Sequence, residues 1–194
     1  RTALALALDA GCPEAAPDFA RRACVTALLK SGYRCVPSSG MGRLFDGVYA
    51  LLTGRTEANY DGQAPALLEA LAEGAAPADL YLPAYYEEDG VRRFDTRPLI
   101  RALYSAKAAG TEVPALAAGF QQALCRMALD QCRALNPDKL PVVLSGGVFL
   151  NRALLTGVTG LLEGAGYRVY THKRVSPSDE GLALGQLALG AAGL

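Results

Sequence analysis

Apolar residues recur through much of the chain at the three- and four-residue spacing of an amphipathic helix. This spacing predicts a helix that Asp18 caps and that runs to Lys30, with Phe19, Ala23, Ala27 and Leu28 on its buried face. A second clear helix covers 43–52, with Leu44, Val48, Leu51 and Leu52 buried. The further predicted helices cover 1–10, 64–72, a segment opening at Arg97-Pro98, 115–135, 151–163 and 176–189.

Short runs of β-branched and aromatic residues interrupt the helical pattern. Val142–Leu144 is typical of a buried strand, and Tyr167–Thr171 predicts a second strand after one helix. Strands linked by a helix in this way run parallel and adjacent, so we expect them in a covered sheet. Leu80–Tyr86 and Val91–Phe94 flank Asp89-Gly90, which predicts a β-hairpin with a two-residue turn.

These elements predict a helix-rich α/β fold whose sheet is mostly parallel, with one added hairpin. The 194 residues suffice for one good-sized domain or two small lobes. In order along the chain we expect a helical part (1–75), the hairpin (80–95), further helices (97–135) and an α/β part (140–194).

The charge balance and the length of the apolar runs argue against two classes of partner, nucleic acid and membrane. Lysine plus arginine and aspartate plus glutamate each number 19, so the basic excess typical of nucleic-acid binding is missing. Apolar runs end well before the length that spans a bilayer, and we expect no membrane partner. The run Thr2–Leu8 could be mistaken for a signal sequence, but Arg1 precedes it and Asp9 ends it. We therefore expect a chain cut from within a larger protein.

The cysteines favour a reducing compartment. There are five, an odd number, and no two form the C-x-x-C spacing of zinc or redox sites. Cys125 and Cys132 lie seven residues apart on one predicted helix face, where thiols behave as small apolar groups. We expect reduced, structural cysteines and a cytoplasmic protein.

The connection after the first parallel strand could bind phosphate. Ser145-Gly146-Gly147 separates that strand from a helix beginning near Asn151. Amide groups at such a turn and at a helix start are unpaired, and glycine lets an anion approach them. Asn151 could cap the helix or reach a ligand. Strand–Gly-Gly–helix connections are also common as plain structural turns, and these residues alone leave both interpretations open.

Three other loops place small or acidic residues at helix starts. They are Ser38–Gly42 with Asp46, Asp61-Gly62-Gln63, and Ser178–Gly181. Ligands of open α/β folds bind where such loops converge, although each acid also fits an ordinary role as a cap or turn residue. His172 is the only histidine and is expected at an exposed edge, while Asp179 alone is not a metal site. The residues thus favour a phosphate or nucleotide pocket and provide no catalytic set.

Four blocks along the chain resemble one family. They are Ser38–Asp46, Tyr60–Ala64, Leu144–Arg152, and Val175–Asp179 with Gly181–Gln186. In this order they are similar to the C-terminal region of the HypF family, carbamoyltransferases that mature nickel–iron hydrogenases. The resemblance covers nearly the whole chain.

The resemblance implies a fold and an incomplete site. This region of HypF is similar to TsaD-type enzymes and belongs to the ASKHA fold, in which nucleotide lies between two lobes built on RNase H-like sheets. The family's metal-binding histidine pair lies in the first lobe, and this sequence has no such pair. The chain therefore resembles the second lobe alone, which we expect to be inactive without the preceding lobe and domains of HypF.

The resemblance also implies the chemistry. Carbamoyl phosphate and ATP give carbamoyl adenylate, and the TsaD-like domain transfers the carbamoyl group to the C-terminal cysteine of HypE. Dehydration on HypE then yields the cyanide ligands of the hydrogenase iron. The expected partners are HypE and the rest of HypF, with a divalent metal (Fe, Zn or Mg) in the complete site.

Site residues follow from the same resemblance. It implies that Asp46 lies near the ribose, Gly62 near the adenosine and Asp179 at the metal. The residues it places along the nucleotide are Ser145, Gly146, Gly147 and Asn151.

The chain departs from the family pattern at two places. Asp61 stands where glutamate is usual, and Asp179-Glu180-Gly181 replaces Asn-Asp-Gly-Gly. The second departure leaves Asp179 and Glu180 as alternative metal ligands, with Asp179 favoured. Two other functions stay open: an O-carbamoyltransferase or TsaD-type relative, and a non-catalytic interaction module.

Overall fold

The fold is described from a computed structural model, and the structure describes residues 1–193. Residue 194, the last of the predicted α/β part, lies outside the described residues. The chain divides into two compact units, residues 1–123 and 124–194, and the boundary falls inside one long helix. Each unit is considered by itself. Among the described residues, no helix is both long enough and apolar enough to cross a membrane.

The first unit is mainly helical. The helices are α1 (Thr2–Asp9), α2 (Arg22–Ser31), α3 (Met41–Thr53), α4 (Gln63–Ala72), α5 (Arg97–Ala108) and α6 (Val113–Leu135). Helices α3, α4 and α6 begin and end within two residues of the predicted bounds, and α5 begins at Arg97 as expected.

Helix α3 carries the core of this unit. Its predicted face, Leu44, Val48, Leu51 and Leu52, is buried, which confirms the apolar spacing. Phe45 lies beside this face and meets Phe120 of α6 edge to face, with ring centroids 5.1 Å apart. Edge-to-face rings pair the positive edge of one with the negative face of the other, in addition to the apolar area they bury.

The prediction for α2 was wrong at its start and in its burial. The helix begins at Arg22, because Arg21 has a left-handed backbone (φ 67°) that a helix cannot continue through. Asp18 accepts only the neighbouring N–H of Phe19 and caps nothing. The guanidinium of Arg22 instead donates to the carbonyls of Pro13, Ala16 and Pro17 and ties the helix start to the preceding turn. No residue of α2 is buried, so the expected apolar face has no core to cover.

The hairpin forms as predicted, but its first strand is displaced. Strand β1 covers Tyr85–Glu88 and pairs antiparallel with β2, Val91–Phe94. Pro83 has no N–H to donate, so the ladder starts after it and not at Leu80. Asp89 and Gly90 both have positive φ (53° and 72°), as a two-residue turn with the twist of the strands requires.

The second unit contains the parallel strands. Strands β3 (Val142–Leu144) and β4 (Val169–Thr171) pair in parallel, with Leu144 opposite Thr171. Helix α7 (Arg152–Gly164) connects them, and α8 (Leu182–Ala191) follows a 3-10 turn at Asp179–Gly181. Within this unit α6 and α7 pack closely, since Cys125 and Leu154 are both buried and the Cys125 thiol lies 3.9 Å from the Leu154 carbonyl.

The predicted parallel pair and the separate hairpin are confirmed among the described residues, which form one parallel and one antiparallel two-stranded sheet. The expectation that the parallel sheet is covered is wrong. Val143 and Tyr170, which are paired across β3 and β4, are 67% and 49% exposed. Only Leu144 of β3 is buried, because alternate side chains of a strand point to opposite faces and here one face is open.

All five cysteines are free, as expected, but the expectation that they are structural is wrong for two of them, which are exposed. Cys24 and Cys35 are exposed, whereas burial raises the pKa of the Cys125 thiol to about 11. A thiol with that pKa stays protonated and unreactive at pH 8, since the thiolate is the nucleophile.

We therefore predict that an excess of Ellman's reagent at pH 8 modifies Cys24 and Cys35 rapidly in the native protein. Cys12 and Cys125 should react only after denaturation, which exposes them and returns the pKa to its ordinary range. Peptide mapping of the modified cysteines at successive times measures this order. Modification of Cys125 as fast as Cys24 would contradict the burial described for it.

Candidate functional site

The turn after β3 is shaped by Gly146. Ser145 follows the last residue of the strand, and Gly146 adopts φ 105° and ψ 153°, a region that residues with a Cβ essentially do not occupy. A single 3-10 turn, Gly147–Leu150, then leads to Asn151 and the start of α7. The predicted order of strand, Gly-Gly turn and helix is confirmed, with the 3-10 turn inserted before the helix.

The amide groups of this turn are not equivalent. The N–H of Gly146 donates to the carbonyl of Pro177 at 2.9 Å and is occupied within the protein. In the described part of the chain, the N–H groups of Gly147 and Val148 have no partner, as expected for the first residues of a helical turn. Two adjacent free donors beside a glycine can bind an anion such as a phosphate oxygen.

Asn151 caps helix α7. Its side-chain Oδ1 accepts the N–H of Leu154 at 2.7 Å, which confirms the capping alternative. The residue is only 7% exposed, and its Nδ2 has no hydrogen-bond partner among the described residues. A buried amide without a partner costs free energy, so this donor would gain from a ligand or water that accepts its proton.

The loop 176–181 lies against the Gly-Gly turn. Besides the bond from Gly146 to Pro177, a Cβ placed on Gly147 would lie 3.7 Å from the Cβ of Ser178. The hydroxyl of Ser178 accepts the N–H of Glu180, so serine is the cap of the 3-10 turn there. The structure thus brings together two of the four predicted loops, the one at 145–151 and the one at 176–181.

Asp179 and Glu180 do not form a metal site by themselves. Both carboxylates are exposed, and no cluster of three histidine, cysteine or acidic side chains that could hold a metal occurs within residues 1–193. Divalent metals in structural and catalytic sites take at least three protein ligands in the common zinc arrangements. The residues present therefore fit one ligand of a metal site at most.

A contact of His172 was not predicted. Its Nε2 lies 2.9 Å from the Oγ of Ser145, and both side chains are exposed. The two residues directly follow Leu144 and Thr171, which are paired across β3 and β4. The register of β3 against β4 would have predicted this contact, but the sequence alone does not fix the register of the two strands.

The other two predicted loops meet in the first unit. Asp46 and Gly62 both line one cleft of about 210 Å³. Arg43 pairs with Asp46 at 3.3 Å, one turn apart on α3. Gly62, in the left-handed region at φ 87°, directly precedes α4, which begins at Gln63. Arg43, Tyr49, Tyr60 and Asp61 also line the cleft, which therefore offers aromatic faces and charges of both signs.

The arrangement suits binding better than catalysis. The second unit presents amide donors and a Ser–His pair, while its only histidine has no carboxylate partner among the described residues. A nucleophile activated by histidine usually needs a third group that orients the ring. The geometry supports an anion site, with no complete catalytic set in the described chain.

Comparison with known proteins shows the family of this chain. The family model described as "Carbamoyltransferase, Kae1-like Domain, second subdomain" matches residues 1–186. The carbamoyltransferase HypF of Rhodobacter capsulatus is 33% identical over 183 residues, which cover 94% of this chain and 23% of that protein. The HypF of Synechocystis is 29% identical over 150 residues, covering 77% of this chain and 19% of its own length. The chain thus spans about a fifth of these relatives.

Solved structures agree with the sequence relatives. A crystal structure of full-length HypF in its phosphate- and nucleotide-bound form matches 97% of this chain with a TM-score of 0.84 and 28% identity, and the match covers 26% of that protein. The HypF of T. kodakarensis matches with a TM-score of 0.74 at 20% identity, which shows the same fold. Since one family model spans nearly its entire length, the chain belongs to the family of second subdomains of the Kae1-like domain of carbamoyltransferases.

Proposed function

We propose that this chain is the nucleotide-binding second lobe of a HypF-type carbamoyltransferase. The observation that carries the proposal is the match, over 97% of the chain, to a HypF crystallised with phosphate and nucleotide. The free amides of Gly147 and Val148 and the unpartnered Nδ2 of Asn151 supply donors of the kind that phosphate oxygens accept. These donors lie in one loop, where the family resemblance implies contact with the nucleotide.

The physical basis is a preformed anion site. Helix α7 starts at Arg152, directly after the turn, and the partial positive charge of a helix N-terminus favours a negative ligand. Gly146 fixes the direction of the turn, and Gly147 has no side chain to block approach to its amide. Binding would then require little rearrangement of the protein, which lowers the free-energy cost of binding.

The reaction that follows from this proposal needs more than this chain. In a HypF-type protein, carbamoyl adenylate would pass its carbamoyl group to the C-terminal cysteine of HypE. The lobe formed by this chain would pair with a preceding lobe to build the two-lobed ASKHA domain. The acidic side chains of residues 1–193 form no complete metal site. Asp46 at the ribose, Gly62 at the adenosine and Asp179 at a metal stay predictions.

Substituting Gly146 with alanine tests the turn. Its φ and ψ strain any residue with a Cβ, although the space around it is open, so the backbone would shift and displace the donors after it. We expect nucleotide affinity to fall about tenfold, in line with a strain of 1–3 kcal/mol. Isothermal calorimetry with ATP and AMP on the full-length HypF-type protein that contains this chain measures the change.

Gly147→Ala and Gly160→Ala distinguish a direct effect on phosphate binding from a general effect of replacing glycine with alanine. At Gly147 the added methyl meets Ser178 at an ordinary distance, so the fold should persist while close approach of phosphate is hindered. Gly160 lies on α7 with open space around it, and its substitution should leave affinity unchanged. If the unaltered full-length protein bound neither ATP nor AMP, the proposed function would be wrong.

A second experiment distinguishes the alternatives within the superfamily. Full-length protein supplied with carbamoyl phosphate and ATP should carbamoylate a peptide that ends in the C-terminal cysteine of HypE, and mass spectrometry detects the added group. An O-carbamoyltransferase or TsaD-type protein would leave that peptide unmodified. A non-catalytic module would fail both this assay and the nucleotide titration.

A further inference from the structure

The only histidine of the chain contacts the serine that opens the Gly-Gly turn. Ser145 and His172 follow the paired residues Leu144 and Thr171, so the ends of two parallel strands bring them side by side. Neighbouring strands lie about 4.8 Å apart, which is the span that these two side chains bridge with one hydrogen bond. The Nε2···Oγ distance is 2.9 Å.

Stability does not account for this pair. Both side chains are exposed, and a hydrogen bond that water can replace contributes little to folding. The register of the strands is already fixed by backbone pairing, including the bond from the Val142 N–H to the Arg168 carbonyl at 2.9 Å. An exposed polar pair at the carboxyl ends of parallel strands is instead placed where ligands bind.

The chemistry of the turn selects the direction of the hydrogen bond. A serine hydroxyl has one proton to donate and can also accept. If Ser145 donated to His172, the lone pairs of its oxygen would face any anion bound at the amides of Gly147 and Val148. If Nε2–H donates to the Oγ of Ser145, the hydroxyl proton stays available as a third donor to the anion, beside the two amides.

We propose that His172 is a positioning residue for the phosphate-binding turn. Its Nε2–H donates to the Oγ of Ser145 and directs the hydroxyl proton of Ser145 to a phosphate oxygen of the nucleotide. This inference rests on the proposed nucleotide-binding function and adds a residue to it. The pair is not a nucleophile and its base, because no carboxylate within residues 1–193 hydrogen-bonds His172 to orient the ring.

The test is a double-mutant cycle on nucleotide affinity in the full-length HypF-type protein that contains this chain. We expect His172→Ala and Ser145→Ala each to weaken AMP binding about fivefold, the effect of one hydrogen bond. The double variant should be no weaker than either single variant, because both remove the same oriented proton. His172→Gln should restore most of the affinity, since its amide can also donate.

Controls separate positioning from folding. Ser105→Ala, an exposed serine on α5, should bind AMP as the unaltered protein does. Melting temperatures of all variants should agree within error, since both residues of the pair are exposed. A double variant whose losses multiply, or single variants with unchanged affinity in a protein that does bind AMP, would overturn the positioning role and leave the proposed function intact. Absence of AMP and ATP binding in the unaltered protein would refute both.

Discussion

Replacing Phe120 with alanine is expected to lower the free energy of unfolding by about 4 kcal/mol. The ring is fully buried in the first unit and meets Phe45 edge to face at a centroid distance of 5.1 Å. Its removal leaves a cavity whose lining loses both apolar burial and dispersion contacts. Urea unfolding followed by circular dichroism measures the change in midpoint and slope.

Phe120→Leu is the matched control for this substitution. Leucine keeps most of the apolar volume and loses the aromatic contact, so a cost of about 1–2 kcal/mol is expected. Combining Phe45→Ala with Phe120→Ala should cost less than the sum of the single losses, because each variant already removes the ring pair. Full additivity of the two would show that the rings do not stabilise one another.

The second large effect is expected at Gly119, which precedes Phe120 on α6. A Cβ built there would overlap the carbonyl oxygen of Ala78 and would lie 2.9 Å from Leu80 Cδ1. The oxygen belongs to the backbone, and the neighbouring Ala78 N–H donates to the carbonyl of Ala115 on the same helix, so the segment cannot easily move away. We expect Gly119→Ala to destabilise the protein by about 3 kcal/mol.

Gly160→Ala is the matched control, because the same substitution is expected there to raise stability instead of lowering it. This glycine lies within α7 with nothing near its missing Cβ, so alanine should stabilise the protein by about 0.5–1 kcal/mol through helix propensity. Thermal unfolding of the two variants side by side compares them directly. If Gly119→Ala proved as stable as Gly160→Ala, the close approach of α6 to the 78–80 segment would be wrong.

The sequence predicted the fold best where the apolar period was long. Helix α3 places the four predicted residues in the core, and the Asp89-Gly90 turn has the positive φ values that its residues suggest. Helix α2 failed because Arg21 breaks the helix and because no core lies beside it, which periodicity cannot reveal. The prediction of a buried β3 was wrong for Val143 for a similar reason, because the number of strands beside β3 is a tertiary property.

The candidate site was predictable only in part. The glycine pair and Asn151 are local signals, and the structure shows the expected strand, turn and cap. It also shows that the Gly146 amide is occupied by Pro177, a partner 31 residues away that no local pattern indicates. The contact of Ser145 with His172 depends in the same way on how β3 and β4 align, so sequence reasoning assigned His172 to an ordinary exposed edge.

The parallel pairing of β3 and β4 has a consequence for the order of folding. Each strand has only three residues, and they can meet only after α7 has closed the segment between them. Loop closure of this kind costs entropy before any contact repays it, whereas the hairpin and α7 form from neighbouring residues. The turn at 145–147 should therefore be among the last features of the second unit to form and among the first to open. A nucleotide bound there, as proposed, would stabilise the most labile part of this unit.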